Sequence, residues 1–177
     1  MKQSLAIIGL SIGACVLYGV VHDLVATQIC LVYFTAFYPL PPVLLESRIL
    51  LGCVLGVAST WWVGLILGAL VALFARAGRL PKLDWRKLLR PFAALLVIAS
   101  VGAAVSGIVA YFLAEYDVLR LQDPMTFLIP REHESGFWTV GFMNLAGYAI
   151  VFVGGIVILI WIRVWRRRQA SLKEKGE

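Results

Sequence analysis

Long apolar runs alternate with short clusters of charge along the whole chain. Four runs, at about residues 5–26, 49–75, 92–114 and 138–162, are long enough to cross about 30 Å of hydrocarbon at about 1.5 Å of helical rise per residue. The first is continuously apolar over 5–21 and continues as helix past His22. The pattern predicts an all-α fold, an integral membrane four-helix bundle, with residues 1–168 forming one four-span domain. Residues 169–177 form a polar tail expected to fray in water.

The connections have distinct characters. Pro39, Pro41 and Pro42 argue against regular helix between the first two spans and favour an extended turn. A longer connection, 115–137, carries Pro124 and Pro130. Asp84 followed by Trp85, Arg86, Lys87, Leu88 and Leu89 reads as a capped amphipathic turn at the membrane surface.

Composition strengthens the membrane reading. Hydrophobic residues make up 61% of the 177 and charged residues 15%, with a mean hydropathy of +0.89, which excludes an ordinary water-soluble domain. The net charge of +6 lies beside the apolar runs instead of in a separate basic domain, so lipid headgroups are the expected partner and nucleic acid is not. Thirteen of the sixteen basic residues flank the first span's start, the 76–90 connection and the end of the fourth span. The opposite side holds Arg48, Arg120 and Arg131 against seven acids. By the retention of basic loops on the inner side, both termini are expected in the cytoplasm.

Residues 12–15, Ile-Gly-Ala-Cys, look like a lipoprotein cleavage box, but the chain stays apolar through Val21, so an uncleaved anchor is expected. Cys15, Cys30 and Cys53 have no metal-ligand or redox spacing and read as packing residues.

Small residues mark where helices should meet, because helices already in lipid associate where backbones can approach closely. Gly52, Gly56, Thr60, Gly64 and Gly68 recur every four residues and form a groove along the second span. The third span offers Gly102, Ser106, Ala110 and Ala114, and the first offers Gly9 and Gly13. The groove serves either internal packing or assembly with another protein.

Polar residues at the far end of the first span form the candidate site: His22, Asp23, Thr27 and Tyr33, with Gln28 and Cys30 between them. Ionisable groups beside hydrocarbon are costly and must face the bundle interior, water or a partner. Asn144 and Tyr148, one turn apart in the fourth span, lie in the same half of the membrane. Three uses compete for His22 and Asp23: fixing the first helix by hydrogen bonds, metal or cofactor binding with His133, and proton handling or transport. His22 and His133 are the only histidines, which makes a metal site weakly supported. Ser59, Thr60, Trp61 and Trp62 stand at mid-membrane, where each indole N–H needs a partner, expected from Ser59, Thr60 or a backbone carbonyl. An aromatic pocket for a quinone, carotenoid or lipid is the sharper alternative, and the sequence specifies no cofactor.

Phosphate-binding glycine loops, H-E-x-x-H, G-x-S-x-G and C-x-x-C-H motifs do not occur. The segment His22-Asp23-Leu24-Val25-Ala26-Thr27, then Tyr33-Phe34-Thr35, with Thr60-Trp61-Trp62-Val63-Gly64, resembles uncharacterised small bacterial four-span membrane proteins. The resemblance implies four spans and a bacterial inner membrane, but no activity. Val32 stands where that group typically carries an acid. The expectation is a non-enzymatic accessory or structural subunit, contacting a larger membrane protein or a second copy. The alternative is a redox, cofactor-binding or transport protein with its site at the outer end of the bundle.

Overall fold

The structure, a computed structural model, describes residues 2–36 and 39–174. Four long helices dominate it: α1 (Lys2–Ile29), α2 (Arg48–Arg76), α3 (Leu89–Glu115) and α4 (Glu134–Glu174). Each contains a stretch long and apolar enough to cross a bilayer, so the chain is a multi-pass all-α membrane protein. Both ends of the described chain and the α2–α3 connection lie together, the basic end; the other two connections form the acidic end.

Two antiparallel pairs build the bundle. α1 runs against α2 along their length, α3 runs against α4, and the pairs meet through α2 with α4 and α1 with α3. The first seam is almost without side chains on the α2 side. A Cβ on Gly56 would lie 2.6 Å from the Gly19 carbonyl group, and one on Gly64 or Gly68 would lie 2.7 or 2.9 Å from the Cα of Ile12 or Ile8. The glycine stripe therefore faces inward onto α1. Its counterpart on α1 is Ser11, Cys15 and Gly19, whereas Gly9 and Gly13 face open space. The α3–α4 seam is looser: Gly102 and Gly107 meet the flexible side chains of Ile150 and Met143, and Ser106 donates to the Phe142 carbonyl at 3.2 Å.

Several boundaries differ from the sequence expectation. α1 extends to Ile29, and Cys30, with extended backbone at φ −148°, separates it from a helical turn at Leu31–Thr35. Pro42 opens another short turn, Pro42–Leu45, where its missing N–H breaks no bond. Asp84 caps the turn Trp85–Leu88, its Oδ1 accepting from the Arg86 N–H at 2.9 Å. The expected fraying tail is helical through Glu174, and residues 175–177 lie outside the described residues. At 41 residues α4 is about 60 Å long, twice the hydrocarbon thickness, so its arginine-rich end projects from the membrane.

Arg166, on that projecting turn, is 2% exposed. Its guanidinium donates to the carbonyls of Phe74, Ala77, Leu80 and Pro81, satisfying acceptors at the C-terminus of α2 and in the connection beyond it. Sequence reading gave Arg166 no role beyond its charge.

Candidate functional site

Two apolar cores bracket a cleft at the meeting of the helix pairs. Toward the basic end, Ile7, Val71, Leu83, Leu88, Phe92 and Ile162 pack together; toward the acidic end, Ala26, Cys30, Phe34, Ile129, Phe137 and Val140 do so. Between them lies a cleft with a free volume of about 40 Å³, to which all four long helices contribute. This is room for one or two waters.

Its polar lining is concentrated toward the acidic end. α1 supplies Tyr18, His22 and Asp23, α2 supplies Ser59 and Thr60, and α4 supplies Asn144 and Tyr148; α3 adds only Phe92, Leu95 and Leu96. His22 and Asp23 are 8% and 5% exposed, and both residues line the cleft. The Tyr18 hydroxyl lies 3.5 Å from His22 Nδ1. Asn144 faces the imidazole, while no described residue completes a well-formed hydrogen bond to the buried Nε2. Among the described residues, no cationic side chain pairs with Asp23: the ion pairs there are Arg120–Asp117 at 2.8 Å and His133–Glu132 at 3.7 Å.

The other sequence candidates divide between places. Thr27 is fully buried on the α1–α2 seam, donating to the Asp23 carbonyl at 2.8 Å and lying 3.2 Å from the Arg48 carbonyl. Tyr33 belongs to the acidic-end core, its ring 5.3 Å from those of Phe34 and Phe137. Gln28 is exposed, its backbone carbonyl accepting from Arg48 at 3.3 Å. His133 lines a separate groove between α1, α3 and α4 with Cys30, Ile108 and Met143, so the two histidines do not share a cavity. Among the described residues no three His, Cys, Asp or Glu side chains are grouped to hold a metal.

The expected partners of the mid-membrane indoles are otherwise engaged. Ser59 and Thr60 both donate to the Gly56 carbonyl of their own helix, at 3.5 and 2.6 Å. Trp61 and Trp62 instead point outward, 48% and 49% exposed, because the glycines opposite them occupy the inner face. Sequence reading also overlooked Tyr18, whose spacing of four from His22 was the available signal.

Fold and cleft define a multi-pass four-helix membrane protein with buried ionisable residues between its two helix pairs. Compared with family models, curated proteins and solved structures, the chain matches none.

Proposed function

We propose that this chain is a non-enzymatic accessory subunit of a membrane complex, set in a bacterial inner membrane with both termini in the cytoplasm. The orientation rests on the basic residues at the end where the first and last described residues lie. The subunit reading rests on the outward face of α2. Ala58, Trp61, Trp62, Leu65, Ile66 and Ala69 are exposed at the spacing of one helical face, with Trp62 central among the 29 residues of α2. Indole N–H groups at that depth find no acceptor in lipid tails, whereas a neighbouring protein helix offers hydroxyls and carbonyls, and alanines beside the indoles admit a close approach.

The test is purification in mild detergent with a photo-crosslinking residue at Leu65. The reading expects one stoichiometric protein adduct, abolished by Trp61→Leu with Trp62→Leu and unaffected by Val101→Leu on the exposed face of α3. Lipid adducts alone would refute it.

The second reading, a cofactor-binding or transport protein, is favoured by one observation: His22, which lines the cleft, has a buried Nε2 with no hydrogen-bond partner among the described residues.

A further inference from the structure

We propose that the cleft binds a single positive charge at Asp23, carried by a proton or an alkali-metal ion. The inference stands apart from the accessory-subunit reading, because it concerns the interior of the bundle and not its outer face.

A carboxylate this deeply buried at membrane depth is costly unless compensated. Nearby side chains do not supply the compensation. Of the titratable groups facing the cleft, α1 contributes Cys15, Tyr18 and His22, α4 contributes Tyr148, and α2 and α3 contribute none. Among the described residues, no Lys or Arg lines it.

The cleft that Asp23 lines also carries neutral, oxygen-bearing side chains of a kind that suits a cation. Ser59 and Thr60 have committed their hydroxyl hydrogens to the Gly56 carbonyl, which leaves their oxygens as acceptors. Asn144 adds a carbonyl oxygen, and the tyrosines add two hydroxyls. Oxygen ligands of this kind suit hard cations. The free volume of about 40 Å³ admits an ion with a water, or a water hydrogen-bonded to a protonated carboxyl and to His22 Nε2. The two carriers share one requirement, neutralisation of Asp23, and differ in salt dependence.

The experiment uses the full chain in mild detergent at pH 7.5 (about neutral, where a free carboxyl is ionised). Thermal midpoints are compared in sodium, potassium and choline chloride at equal ionic strength, and infrared spectra are recorded with the aspartate carboxyls labelled with carbon-13. Asp23 is the only aspartate on a long helix; Asp84, Asp117 and Asp123 lie in connections that deuterium oxide reaches at once. An alkali ion at the site gives a midpoint several degrees higher in sodium or potassium than in choline, a difference that Asp23→Asn removes. A proton gives no such difference but a slowly exchanging protonated-carboxyl band in the wild-type chain. Either result supports the proposal. An ionised Asp23 with no preference for sodium or potassium over choline overturns it, and the wild-type spectra decide this even if Asp23→Asn does not fold.

Discussion

The backbones of Gly19 and Gly56 approach so closely that a Cβ atom added to Gly56 would lie 2.6 Å from the carbonyl carbon of Gly19. Neither backbone can withdraw without opening the α1–α2 seam, since Gly64 and Gly68 repeat the approach farther along. Gly56→Ala is therefore expected to destabilise the protein by about 1–3 kcal/mol through overpacking, and Gly56→Leu to abolish the folded yield. Gly9→Ala, which meets nothing within 4 Å, is expected to be neutral or stabilising by up to about 1 kcal/mol. Thermal melts in detergent distinguish these outcomes; equal effects at Gly9 and Gly56 would mean that α1 packs in another register.

Arg166 holds four backbone carbonyls with one planar fork. Removing it takes the donor from four part-buried carbonyls, each bond worth about 0.5–1.5 kcal/mol, so Arg166→Ala is expected to lower the melting temperature far more than Arg167→Ala, which removes an exposed charge. Lysine should rescue little, because its ammonium cannot reproduce the spread of donors. Limited proteolysis should cut the 77–84 connection faster in Arg166→Ala; unchanged cleavage would argue against this clamp.

Thr27 joins the turn of α1 at Asp23 to the start of α2 at Arg48. Thr27→Val keeps the volume and loses the hydroxyl, with an expected cost of about 0.6 kcal/mol, the average for hydrogen bonds between membrane helices, and no more than about 1.7. A chemical-denaturation series in mixed micelles measures it, and a stabilised variant would contradict the assignment.

The depth of Trp61 and Trp62 can be read optically. In bilayers of brominated lipids, bromine at the mid-chain position should quench their emission more strongly than bromine near the headgroup, and Trp61→Phe with Trp62→Phe should abolish that difference. Joining the proposed partner should shield them. Indoles insensitive to mid-chain bromine in the isolated protein would place them somewhere other than the lipid-facing side.

Much of the architecture was legible because hydrocarbon admits so few solutions. The uncharged runs located all four spans, and Asp84 before Trp85 marked its turn. The four-residue spacing of Gly52, Gly56, Gly64 and Gly68 showed that something would pack there, but not that it is α1, nor that Gly9 and Gly13 stand outside the seam. Single-helix periodicity assigns a face without naming its neighbour. The site was legible in part for the same reason: cost alone singled out His22 and Asp23 as buried.

The sequence by itself determined a four-span helical membrane protein with one basic end, because backbone satisfaction and charge exclusion act locally along the chain. Only the tertiary structure decided which residues meet. It brought Asn144 and Tyr18 to His22, sent Tyr33 into a separate core, turned Trp61 and Trp62 outward and buried Arg166. These outcomes depend on how two helix pairs rotate against each other, a matter of side-chain fit between segments as much as about 120 residues apart in sequence, which no local pattern records.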